Sequence, residues 1–121
     1  MTAVAIALAG ALGAVVRWLL DLAAAARLGR ALPWGTMAAN VAGSLLAGAL
    51  AGATVATHLG PTTTQVLAVG FCGGLTTFSA AVFDVARELE RRRAGLGALV
   101  LFAPMLAAVG AGLAGFYVAG G

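Results

Sequence analysis

Four long apolar stretches, at residues 3–25, 33–57, 61–86 and 96–119, constrain this chain more than any other feature. At about 1.5 Å of helical rise per residue, each reaches across a hydrocarbon core of about 30 Å. Of the 121 residues 62% are hydrophobic and only 9% charged, with a mean hydropathy of +1.04. A water-soluble domain of this size has no interior large enough to hide that much apolar surface, so the solvent for most of the chain is the lipid bilayer. The expectation is an all-α membrane protein of four transmembrane helices, a single domain over residues 1–121, multi-pass in the cell (inner) membrane.

Local signals agree with these spans. Pro33 and Pro61 fall where helices are expected to begin, since a first-turn proline loses no hydrogen bond. Pro104 lies inside the fourth span and is expected to kink it. Residues 1–13 carry no charge, unlike the basic start of a secretory signal, so the first span is expected to be retained. The 18 glycines, with abundant alanine, suit close helix approach, and Gly48-x-x-x-Gly52 has the usual small-residue spacing. The basic residues are seven arginines and no lysine. Arg27 and Arg30 lie between spans one and two, and Arg91, Arg92 and Arg93 between spans three and four; the opposite side has none. The positive-inside rule therefore predicts both basic loops in the cytoplasm and both termini outside. Arginines at a membrane surface account for the basic balance, and no nucleic-acid partner is expected.

Polar residues inside the spans carry the functional information. Gly70-Phe71-Cys72-Gly73-Gly74-Leu75-Thr76-Thr77-Phe78-Ser79 places three glycines and three hydroxyls in a segment otherwise fit to cross the bilayer. Backbone freed from a helix is tolerated at membrane depth only where protein buries it or a polar path uses it. The run therefore predicts a third helix broken near its middle, with glycines allowing the turn; a tightly packed continuous helix is the alternative. In span two, Thr36, Asn40 and Ser44 recur every four residues along one helical stripe. Such a stripe serves either as interhelical glue or as pore lining. Arg17 and Asp21 are spaced to pair along span one, although Arg17 can equally snorkel to the headgroups. Asp84 and Arg87 suit a local ion pair.

Several classes fall away. Cys72 is the single cysteine, so no intramolecular disulfide or zinc-type cluster can form. One histidine and four acids, none in a catalytic spacing, offer no enzyme site, and nothing resembles a phosphate-binding loop. A four-span proton-coupled drug exporter needs an acid deep in span one, where only Asp21 near its end is available. A non-transporting membrane assembly protein would leave the interruption in span three without a purpose.

The ordered motifs Gly13-x-x-x-Arg17-Trp18, Gly35-Thr36-x-x-x-Asn40-x-x-Gly43-Ser44 and Gly70-x-x-Gly73-Gly-x-Thr76-Thr-Phe-Ser79 resemble the Fluc/CrcB fluoride channels over the whole chain. The resemblance implies an antiparallel dimer with two fluoride pores and a structural sodium ion. The sodium would lie on backbone carbonyls at Gly73 and Thr76, and Arg17 would serve a structural or interface role. Fluoride would leave the cytoplasm passively, lowering its toxicity. The pore residues implied are Asn40, Phe78, Ser79, Thr77, Thr36 and Ser44. Their chemistry suits a small, tightly hydrated anion: the Asn40 amide can donate two hydrogen bonds, hydroxyls can donate more, and an aromatic ring presents a positive edge. Weak sites of this kind allow an ion to leave as well as bind.

The family pattern is not complete here. Where it continues Thr-Thr-Phe-Ser-Thr-Phe, this chain reads Thr76-Thr77-Phe78-Ser79-Ala80-Ala81, so a second pore phenylalanine is replaced by Ala81. Span four, where the family carries hydroxyls, has no Ser or Thr. In the family each pore takes one phenylalanine from each subunit, so a partner retaining the missing ring could complete one pore. The strong arginine bias also disfavours insertion in both orientations. Both departures point to pairing with an oppositely oriented paralogue, with a homodimer as the alternative.

Overall fold

The computed structural model describes residues 1–121 and is helical throughout, without strands. Helix α1 spans Thr2–Leu28 and α2 spans Trp34–Val55. The third span has two parts: α3, residues 61–75, and α4, Phe78–Glu90. Helix α5 spans Ala94–Val118. The four segments are long and apolar enough to cross a membrane. The chain is a multi-pass membrane protein.

Their ends follow from the local sequence. Pro61 opens α3 at its first helical position, where its missing N–H has no intrahelical partner to lose. Pro33 lies just outside α2 and caps it through its carbonyl, which accepts from Met37 N–H at 3.0 Å. Helix α4 runs past the apolar limit at Ala86 because Glu88 is held at its end. Glu88, with its side chain 8% exposed, pairs with Arg91 at 3.3 Å and Arg93 at 2.8 Å. Arg92, in the turn between them, is left-handed at φ 58°. Helix α5 continues through Pro104 without interruption.

Packing is mostly backbone against backbone. The buried apolar residues are few (Ala39, Leu50, Cys72, Leu75 and Val100), and no large side chain is completely enclosed. Helix α2 lies along α5, where a methyl at Gly48 would run into the Gly112 carbonyl and one at Gly52 into Phe116. The small-residue spacing in α2 is therefore a helix-packing device, worked through van der Waals contact as lipid-embedded helices require. Helix α1 lies along α3 in the same manner: a methyl at Gly74 would strike the Gly10 carbonyl, and one at Gly13 the Phe71 carbonyl. The seam with α1 holds the first part of the third span in place and presents its interruption at one face of the bundle.

Candidate functional site

The interruption falls at Thr76 and Thr77. Both are extended, at φ −82°, ψ 155° and φ −153°, ψ 127°. β-Branched threonines suit extended backbone better than glycine does. The glycines before them are not the turn: Gly73 is helical at φ −62°, and Gly70 and Gly74 serve the approach to α1. Ahead of the break the helix is already wide, with i→i+5 bonding over Gln65–Cys72, a winding that recurs at functional segments.

Each polar group released by the break finds a specific partner. Asn40 on α2 grips the Thr77 peptide from both sides. Its Nδ2 donates to the Thr77 carbonyl at 2.9 Å, and its Oδ1 accepts from Thr77 N–H at 2.7 Å. Thr76 folds back, with its N–H and its hydroxyl each donating to the Cys72 carbonyl at 2.9 Å. Thr77 caps α4, its Oγ1 accepting from Ala80 N–H at 3.2 Å while bonding Ser79 Oγ, also at 3.2 Å. In an unbroken helix Thr77 N–H would close onto the Gly73 carbonyl and Ala80 N–H onto the Thr76 carbonyl. Both donors are diverted to side chains. The Gly73 and Thr76 oxygens are thus relieved of their helical donors at the negative end of a half-helix, the kind of oxygen that binds alkali cations in membrane proteins.

Beside the break is an open groove of about 300 Å³. Asn40, Ser44, Thr76, Thr77 and Phe78 supply its polar and aromatic side. Ala81 and the α5 residues Leu101, Pro104, Met105 and Ala108 supply the other. One Asn40 N–H is used on Thr77, so a single amide donor is left for a ligand rather than the two an isolated side chain offers. Phe78 is 74% exposed and stands at the rim rather than in the protomer's interior. Hydroxyl and amide donors, a ring edge and no ionisable side chain make a groove that can accept an anion weakly.

Not every expected residue reaches this groove. Thr36 lies instead beside Asp84, and Ser79 is exposed and bonded to Thr77. Asp84 lines a second cavity of about 100 Å³ at the end of the bundle that carries the basic loops, with Asp21, Arg30, Arg87, Glu88 and Arg91. Of the two readings open for Arg17, the pair with Asp21 does not form, and neither does the ion pair expected between Asp84 and Arg87; the ion pairs go to Glu88. Asp21 instead packs against Gly35, where α1 crosses the start of α2. Sequence reasoning missed Glu88 as the anchor of the basic turn. It also missed the second role of Asn40, which no local pattern encodes because its partner is 37 residues away.

Residues 4–116 match the family described as CrcB-like protein, Camphor Resistance (CrcB). The chain belongs to the CrcB family. Among curated relatives, this CrcB chain is 38% identical over 115 residues to the fluoride-specific ion channel FluC of Nitrobacter winogradskyi, covering 94% of this chain and 91% of that one. It is 42% identical over 118 residues to fluoride-specific ion channel FluC 1 of Thermobifida fusca, covering 84% and 92%. To fluoride-specific ion channel FluC of Rhodospirillum centenum it is 42% identical over 114 residues, covering 92% and 89%. The broken third span of this CrcB chain and the groove beside it therefore sit in a full-length match.

Proposed function

We propose that this chain is a subunit of a fluoride-specific channel, not an enzyme, and lets cytoplasmic fluoride leave down its gradient. The observation that carries the reading is the groove at the broken span, where Asn40, Ser44, Thr77 and Phe78 meet, together with the names of the relatives. Fluoride surrenders its water to the free Asn40 N–H, to hydroxyls and to the edge of the Phe78 ring. None of these holds it strongly enough to trap it. Thr36 continues the α2 stripe toward the basic end of the bundle, and Ser79 extends the hydroxyls around Thr77.

The same reading takes the chain to be one half of an antiparallel dimer. Exposed polar backbone at membrane depth costs several kcal/mol per unsatisfied group, and Gly73 at the break is exposed in the single chain. A second chain against this face removes that cost and converts a groove into a closed passage. A structural sodium ion fits between the subunits, on the Gly73 and Thr76 carbonyls, and supplies fixed positive charge. The arginine asymmetry supports an orientation with both termini outside and Arg17 near the cytoplasmic end of α1. Ala81 occupies the groove where the family pattern has a ring, and the α5 wall offers no hydroxyl, so the favoured companion is an oppositely inserted paralogue that retains both.

The test is fluoride efflux from proteoliposomes followed with a fluoride electrode, using protein-free vesicles to subtract leak as HF. Asn40→Ala and Phe78→Ala are each expected to cut flux roughly tenfold or more, as lost contacts to a charged ion do. Unaltered efflux in both variants would remove the groove from the permeation path.

A further inference from the structure

The grip of Asn40 on Thr77 reaches beyond the anion groove. Resting on the cation reading above, we infer that Asn40 is a positioning residue for the cation site, because its amide keeps the Gly73 carbonyl from being consumed by helix closure. The geometry is specific. Oδ1 takes the Thr77 N–H at 2.7 Å, which is the donor that helical closure would deliver to Gly73. Nδ2 holds the carbonyl of the same peptide at 2.9 Å, which fixes its orientation. Thr77 repeats the device one step on, since its hydroxyl takes the Ala80 N–H at 3.2 Å and so spares the Thr76 carbonyl. Two side chains thus hold both cation-facing oxygens clear of the ladder. The remaining Asn40 N–H is free for the groove, so one amide side chain sets the anion path and the cation oxygens together.

An amide is suited to this task because it offers an acceptor and a donor at fixed separation. A carboxylate keeps the acceptor and loses the donor, whereas an alkyl chain loses both. The substitutions at this position therefore separate the two roles. In Asn40→Asp the Thr77 N–H stays diverted and the Gly73 carbonyl stays free, while both amide donors are lost, the one on the Thr77 carbonyl and the one facing the anion. In Asn40→Leu the Thr77 N–H is released to close onto Gly73.

The experiment measures the melting midpoint of the purified full-chain assembly as sodium replaces N-methylglucamine at constant ionic strength. Fluoride efflux is measured in parallel. Wild type is expected to gain thermal stability with sodium. Asn40→Asp is expected to keep that gain while its efflux falls. Asn40→Leu is expected to lose the gain, its apparent sodium affinity dropping about tenfold or more, the size of a lost coordinating group. Should Asn40→Leu not fold, Thr77→Val against Thr77→Ser decides: the hydroxyl variant is expected to restore a sodium response that the methyl variant lacks. A full sodium response in Asn40→Leu, or equal responses in the two Thr77 variants, overturns this inference and leaves the cation reading standing. No sodium response in wild type overturns both.

Discussion

Glycine does two jobs in membrane helices, and residue identity alone does not say which. The run at 70–79 suggests glycines that let the chain turn, yet the turn is made by two extended threonines while Gly70 and Gly74 admit α1. Both uses have one cause, the missing Cβ, so the ambiguity is physical. Neighbouring positions separate them. Gly74→Ala drives a methyl into the Gly10 carbonyl and is expected to lower protomer stability by ~1–3 kcal/mol, the usual cost of overpacking, read as a fall in melting midpoint. Gly73→Ala meets nothing within 4 Å in the same chain. It is expected to leave the isolated protomer's fold intact and to weaken assembly, read as a shift toward monomer in quantitative crosslinking. If both variants weaken the protomer alike, the packing assignment of Gly74 fails. The residue scale also shows what spacing cannot deliver. Arg17 and Asp21 are correctly placed for an i, i+4 pair and make none; Asp21 lies against Gly35 instead.

At the scale of elements, the four spans, their order and the broken third one are legible from hydropathy and from one polar run. Ends are less so. Hydropathy stops the third span near Ala86 because charges crowd the residues that follow, whereas the helix continues to Glu90. The charges are not solvent in this case but structure: Glu88 ties the end of α4 to Arg91 and Arg93, and that pairing joins residues across a turn that a hydropathy window averages away. Glu88→Ala is expected to destabilise the chain by ~1–3 kcal/mol through loss of charge-assisted bonds. Because the carboxylate is largely sheltered, high salt should reproduce only part of that loss. Thermal melts at low and high salt check both statements, and a mutant melting with wild type would show the pair to be idle. The α2 and α5 contact, by contrast, is foreshadowed by Gly48-x-x-x-Gly52, since a small-residue stripe in lipid has few uses besides close approach.

On the dimeric reading proposed above, the whole molecule is one half of an assembly, and here the sequence is informative through what is missing. Ala81 and the hydroxyl-free wall of Leu101, Pro104, Met105 and Ala108 leave one side of the groove without donors. If pairing with a complementary chain supplies them, the lone chain in proteoliposomes should show little efflux, and coexpression with the paralogue should raise it. Ala81→Phe in the lone chain should recover part of the difference. High efflux from the unmodified chain alone, with no gain from Ala81→Phe, would instead establish a self-sufficient homodimer. The identity of the proposed partner is not legible in the sequence, because a chain's sequence records its own surface and not a surface it would meet. In the dimer proposed above, the broken third span would set how the two halves come together. The unwound segment of the third span is already braced within a single chain by Asn40 and by the Thr77 cap, so the conformational work is done during folding and before encounter. Docking in such a dimer would resemble the meeting of rigid bodies, and subunit exchange in bilayers is expected to proceed in one kinetic phase set by lateral collision, with no lag from remodelling.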